Sequence, residues 1–142
     1  MILNLTQHRA TPDQIEAGVV ELPQESQQIL KELLTFESAP SKAEIVLRAI
    51  AITKMAKFIP QGMSIPCDFA MVGGAPYLMG ALCGSLWAQN ITPRFSFTER
   101  RSVEETLPDG SVRKSSVFVH LGWVTAPDWD FHPQQGCSCG CA

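Results

Sequence analysis

Three short segments of this 142-residue chain carry the residue types that handle phosphate. Thr6-Gln7-His8 follows the apolar Ile2, Leu3 and Leu5. Gly73-Gly74-Ala75 follows the apolar stretch from Cys67 to Val72 and leads into Pro76. Thr98-Glu99-Arg100-Arg101 follows the alternating Arg94-Phe95-Ser96-Phe97. Glycines let a backbone approach an anion closely, and a helix opening at Pro76 would offer free N–H groups and a partial positive charge. Pro76 itself removes one donor, so the cradle is poorer than a P-loop, and there is no GxGxxG or Walker pattern. Arg100 and Arg101 can clamp an anion bidentately. His8 can donate to a phosphate or move a proton in acid–base chemistry. Each segment also has a plainer reading. Gly-Gly before a helix can be only a tight turn, and Gln7-His8 can be a cap for the first helix. The arginines, with Glu99, Glu104 and Glu105, can be charges that keep a long hairpin from aggregating. Convergence of the three segments on one ligand is what favours binding.

The ending Cys137-Ser138-Cys139-Gly140-Cys141 is the second unusual feature. Thiolates at this spacing can close on one soft metal ion such as zinc or cuprous copper, with His132 as a further ligand. Against that, no basic group or helix N-terminus stands beside them to lower a thiol pKa, and terminal residues are often unordered. The expectation is therefore no metal and no cofactor. The count of five cysteines is odd, with three crowded at the end, which does not make a disulfide framework.

The elements that must position these groups follow from capping and periodicity. Ile2, Leu3 and Leu5 read as a buried strand. Thr11, Pro12 and Gln14 form a capping box at the start of a helix with Ile15, Val19 and Val20 as its apolar stripe. Pro23 and Glu25 open a second helix, with Ile29, Leu30, Leu33 and Leu34 at helical spacing and Phe36 near its end. Ser41 and Glu44 open a third, stopped by Pro60 and Gly62. Cys67 to Val72 reads as a second buried strand, Pro76 to about Gln89 as a helix, and Asn90 as its C′ residue. Arg94 to Thr98 and Val112 to Val124 form a hairpin. With Asp109-Gly110 as a two-residue turn, Glu105 faces Lys114 and Leu107 faces Val112.

The order strand, three helices, strand, helix, hairpin predicts a small α/β domain: a three-layer, Rossmann-like fold with a mostly parallel sheet and a C-terminal antiparallel hairpin. A four-helix bundle with a β-arm is the alternative. The domain spans 1–126, and 127–142 is an irregular tail, in which Trp129 and Phe131, with Trp123 before it, either strap back over the sheet or meet a partner. In an open α/β sheet, ligands bind beyond the carboxyl ends of the strands, where all three phosphate-handling segments should arrive.

Composition narrows the function classes. Hydrophobic residues are 45% and charged residues 18%, too apolar for a disordered chain. A formal net charge of −3 excludes a protein-wide positive field, so duplex nucleic acid is not an expected partner. The start has no basic region before a long apolar run, as a signal peptide would. The longest apolar stretch, near Ala49 to Pro60, is broken by Lys54 and Lys57 and falls short of the ~18 residues of a membrane span. A cytoplasmic protein with no membrane association is expected.

The segments Met1 to Pro12 and Met71 to Met79, and the hairpin from Phe97 to Glu105 with Asp109 to Lys114, resemble a family of small bacterial and prophage proteins without a settled function. The resemblance covers most of the chain and ends before the Cys tail. More distantly, the first strand and the overall plan are similar to CARF-like proteins that accompany CRISPR systems, among them ring nucleases that cleave cyclic oligoadenylates. That similarity implies a homodimer and a nucleotide ligand. Two functions follow. One is a nucleotide or other small-anion binder, acting as a cyclic-oligonucleotide sensor or a metal-independent ring nuclease, with His8 as the catalytic candidate. The other is a non-enzymatic interaction protein that dimerises or docks through the hairpin.

Overall fold

A computed structural model describes residues 1–128; the metal candidates Cys137, Cys139 and Cys141, with His132, and the aromatics Trp129 and Phe131 lie outside the described residues. Strands β1 (Ile2–Leu5), β2 (Val19–Val20), β3 (Phe69–Val72), β4 (Thr92–Thr106) and β5 (Val112–Thr125) alternate with helices α1 (Pro12–Glu16), α2 (Gln24–Leu34), α3 (Lys42–Gly62) and α4 (Pro76–Ala88). The fold is mixed α/β. The strands form one sheet in the order β2-β1-β3-β4-β5. β1 pairs in parallel with β2 and β3, β3 pairs in parallel with β4, and β5 returns antiparallel on β4.

Alternation along the short parallel strands splits the apolar residues between two faces. Leu3, Leu5, Ala70 and Val72 face the main core, where Leu30 and Leu34 of α2, Ala49, Ile52 and Ala56 of α3, and Leu78, Leu82 and Leu86 of α4 meet them. Ile2, Val19 and Met71 face the other way and carry a thinner cluster with Ala10, Phe69 and Trp123. Three helices thus share one face. Ala126 is the last buried residue among those described. Among the described residues, no helix is long and apolar enough to cross a membrane.

The caps fall where their residue types require. Thr11 and Gln14 make a reciprocal capping box on α1, and the Ser41 hydroxyl accepts from the Glu44 N–H at the start of α3. Asn90 takes a positive φ of 59° just after α4, as a C′ residue can.

Several boundaries differ from expectation. The first helix stops at Glu16; Gly18, at φ 99°, turns the chain, and Val19–Val20 becomes the edge strand β2 instead of continuing the helical stripe. α3 ends at Gly62 as expected, with Pro60 inside its last turn. So near the C-terminus its missing N–H interrupts a single i→i−4 bond. β3 begins at Phe69, two residues later than the apolar run.

The hairpin is long, as expected, and its strands continue far beyond the sheet; the largest difference is in its distal register and its turn. β4 pairs with β3 only from Thr92 to Arg94, yet continues on β5 as far as Thr106. The distal register is one residue from that expected, with Glu104 facing Lys114 and Glu105 facing Arg113. The Leu107 N–H donates to the Ser111 carbonyl, and the Gly110 N–H to that of Leu107. Pro108-Asp109-Gly110 is therefore a three-residue loop with Gly110 at φ 84°, not a two-residue turn. The Asp109 carboxylate accepts from the N–H and hydroxyl of Ser111, which holds its pKa below the ordinary range. A bulge between Phe97 and Thr98 restores the expected register near the sheet, where Phe97 faces Gly122 and Ser96 faces Trp123.

Candidate functional site

β1 ends beside β3, and both chain segments leave the sheet at the same edge. The strand order reverses here: the chain passes from β1 outward to β2, and later returns to the opposite side of β1 as β3. Such a reversal opens a crevice between the two outgoing segments. An open cavity of about 730 Å³ occupies it. Thr6, Gln7, His8 and Arg9 line one side, Gly73, Gly74 and Ala75 another, and Ser96 and Phe95 of β4 a third. Thr11 and Gln14 of the α1 cap and Leu34, Thr35, Phe36 and Tyr77 complete the wall.

Asn4 shapes the first segment. It is 2% exposed. Its Nδ2 donates to the His8 carbonyl at 2.8 Å and to the Glu21 carboxylate at 3.1 and 3.2 Å, while its Oδ1 accepts from the Thr6 N–H and hydroxyl. The Thr6 hydroxyl also lies 3.1 Å from the His8 carbonyl, and Glu21 accepts from the Ala10 N–H. The loop from Thr6 to Ala10 is therefore drawn tight around one buried amide, with the His8 and Arg9 side chains outside the knot and exposed.

Gln7 spends its amide on structure, donating to the Leu34 carbonyl at 3.1 Å. Arg48 donates to the Glu32, Leu33 and Thr35 carbonyls. These bonds, with the Arg48–Glu44 ion pair, satisfy the C-terminus of α2 and offset its negative dipole end beside the cavity. The Arg48 guanidinium also stacks 4.2 Å over the Phe36 ring, which meets Tyr77 edge-on at 5.2 Å.

In the second segment, Gly74 has φ 149°, a conformation that side chains strain. A Cβ on Gly73 would meet Thr6 Cγ2 at 3.5 Å, so β1 and β3 approach closely here. Ala75 gives α4 no side-chain cap, and Pro76 takes N1. The first turn of α4 thus faces the cavity without a protein side chain bound across its amides. On the third side, the Ser96 hydroxyl is 2.6 Å from His120 Nδ1 and accepts from Gln14 Nε2 at 3.1 Å. His120 in turn meets Trp123 at a tilt, with ring centroids 4.5 Å apart.

Two of the three expected segments therefore meet. The third does not reach them in one chain: β4 continues through Thr98, Glu99, Arg100 and Arg101, which are exposed on the hairpin, with Arg101 paired to Glu99 at 3.0 Å. The cation that lines the cavity is Arg9, and no carboxylate is among the described lining residues. Gln7 and His8 do not cap α1, a task Thr11 performs. Sequence reasoning missed Arg9, Ser96, Thr35, Phe36 and Tyr77 as lining residues. For Arg9 a signal existed, since it is adjacent to His8 past the end of β1. Among the described residues, no group of three or more His, Cys, Asp or Glu side chains gathers as metal ligands.

Fold and site together define a mixed α/β domain with a mostly parallel five-stranded sheet, a cavity at its strand-order reversal and a protruding antiparallel hairpin. The chain belongs to the Uncharacterized protein MJ1673 family, whose model matches residues 1–124. No curated protein matches the chain, and no solved structure does.

Proposed function

We propose that the cavity binds a nucleotide or another small phosphate-bearing anion, in a Rossmann-like, three-layer domain that works in the cytoplasm as a homodimer. The observation that carries this reading is the wall itself. Arg9, His8, an uncapped helix start and the Gly73-Gly74 backbone surround a crevice at the strand-order reversal, with no acidic side chain among its described lining. Phosphate fits at Gly73-Gly74 and the first turn of α4, neutralised by Arg9. The Phe36–Tyr77 pair offers an apolar wall for a base, and Ser96, Thr11 and Gln14 offer hydroxyl and amide partners for a sugar. The resemblance to CARF-like proteins favours a cyclic oligonucleotide within this class, and the resemblance to small bacterial and prophage proteins favours that setting. A sensor needs only binding. A metal-independent ring nuclease would align a ribose 2′-OH with the adjacent phosphorus. His8 would take the hydroxyl proton as the new 2′-O–P bond forms, and the P–O5′ bond would break with the 5′ oxygen taking a proton from water, giving a 2′,3′-cyclic phosphate and a 5′-hydroxyl.

Calorimetry of the full chain against mononucleotides and cyclic oligonucleotides tests this, with Arg9→Ala as the diagnostic variant. Loss of a charge-assisted hydrogen bond of about 1.5–3 kcal/mol should weaken binding roughly tenfold or more, with a stronger effect at low salt. Chromatography of the ligand after incubation with chelator separates sensor from nuclease. No heat with any anion, or Arg9→Ala binding as tightly as wild type, refutes the site.

A further inference from the structure

The distal hairpin is the least self-sufficient part of the molecule. From Thr98↔His120 to Thr106↔Val112 it is a two-stranded ribbon, and nearly all its residues are exposed. A lone ribbon is marginal in water and gains stability from further strands. It also shows apolar side chains without cover: Phe97 is 58% exposed, Phe118 65%, Val103 42% and Val117 40%. Among the described residues, no strand pairs with the outer edge of β4 beyond Arg94. Such an edge is a template for another strand.

The charges on that edge indicate which strand. The ribbon from Thr98 to His120 has Arg100, Arg101, Arg113 and Lys114 against Glu99, Glu104, Glu105 and Asp109. It is balanced, which does not suit a nucleic acid or an anionic membrane. On β4, Glu104-Glu105 lie on one side of Ser102-Val103, and Arg100 and Arg101 lie on the other with Glu99, which pairs with Arg101 at 3.0 Å. We propose that β4 of one chain pairs antiparallel with β4 of a second copy, joining two ribbons into a four-stranded sheet.

Geometry limits the register. Copies related by a two-fold axis through a sheet pair residues of like parity, because opposed side chains share a face. With Val103 on the axis, Arg101 faces the second copy's Glu105, and the same pair recurs across the axis. Ser102 faces Glu104, and Arg100 faces Thr106. No like charges oppose one another. With Ser102 on the axis instead, Glu99 would face Glu105, a repulsive pair. In the Val103 register, Val103 and Val117 of both copies gather on one face at the axis. The loop at Asp109 of each ribbon reaches the level of Phe97 in the other. The Arg94 residues of the two copies, where each β4 leaves its pairing with β3, then stand about 60 Å apart at ~3.4 Å per residue, and the bodies clear each other. The interface does not depend on the cavity having any ligand.

Light scattering and sedimentation of the full chain test it, with hydrogen exchange as a second readout. Wild type should run as a dimer, with slowed exchange at the β4 amides between 98 and 106. Arg101→Glu places glutamates opposite each other twice and should weaken association by about tenfold or more. Arg101→Glu combined with Glu105→Arg restores opposite charges and should recover the dimer. Within its own ribbon Arg101 pairs with Glu99 and Glu105 faces Arg113, so circular dichroism of each variant checks that the ribbon itself is intact. A monomeric wild type, a dimer indifferent to Arg101→Glu, or a double variant that fails to recover would each overturn the proposal.

Discussion

Replacing Asn4 by Asp keeps the shape of the side chain and reverses the role of its amide. Nδ2 donates to both oxygens of Glu21 and to the His8 carbonyl, and an Asp there can donate to neither while ionised. The Thr6 donations to the other oxygen survive. Losing a bond to a charged group costs about 1.5–3 kcal/mol and losing a neutral one about 0.5–1.5 kcal/mol. Two carboxylates at ~3 Å add repulsion, which the half-buried setting of Glu21 leaves partly open to water. The total is roughly 3–4 kcal/mol near neutral pH, or a fall in Tm of about 10 °C at ~3 °C per kcal/mol for a domain of this size. The sign with pH follows from the shared site. One carboxyl of the pair has its folded pKa raised, so the penalty is absent well below the unfolded value of about 4 and grows as pH rises through the folded one. Calorimetric melting at pH ~7.5 and ~5 should show a smaller gap between wild type and variant at the lower pH. A loss under about 3 °C at the higher pH, or a gap that does not shrink, would show that Asn4 is not what holds the Thr6–Ala10 loop.

The neighbouring glycines should part company. Gly74→Ala forces a side chain into φ 149° and should cost about 1–3 kcal/mol in thermal or urea unfolding, whereas Gly73→Ala meets only ordinary contact with Thr6 and should leave Tm within a few degrees. Cys83 is 4% exposed, and burial pushes its thiol up to about 11 from 9.0. A raised folded pKa makes this contribution complete below pH 9 and lost as pH climbs toward 11. Unfolding of wild type and Cys83→Ala across that range should show a steeper decline for wild type, and alkylation at pH ~8 should mark Cys83 only after denaturation.

What the sequence revealed was what is written locally. The Thr11–Gln14 box, the Ser41 cap, Pro76 at N1 and Asn90 at C′ each depend on residues within one turn of each other, and the structure has them all. Val19–Val20 was illegible because two β-branched residues fit a helical stripe and a strand equally. Pairing with Ile2 and Leu3 decided between them. The long hairpin was legible, but its distal register was not, because the bulge between Phe97 and Thr98 is marked by no turn or capping residue. The convergence of Thr6–His8 with Gly73–Ala75 was legible from strand order alone. The remaining wall was not, since Thr35, Phe36 and Ser96 arrive through the packing of α2 and the hairpin, which no spacing encodes.

The bulge at Phe97/Thr98 has a consequence for how this chain can drift over generations. It pins the proximal hairpin in one register and the ribbon in another, so insertions or deletions beyond it do not disturb the sheet. They are still constrained. Losing one residue from each strand keeps the ribbon paired but turns every outer side chain over, moving Val103 and Arg101 to the opposite face. Losing two from each strand shortens the ribbon by about 7 Å and leaves the faces as they were. Length variation that keeps the ribbon's surface should therefore come in even steps on each strand, matched on the two sides of Pro108-Asp109-Gly110.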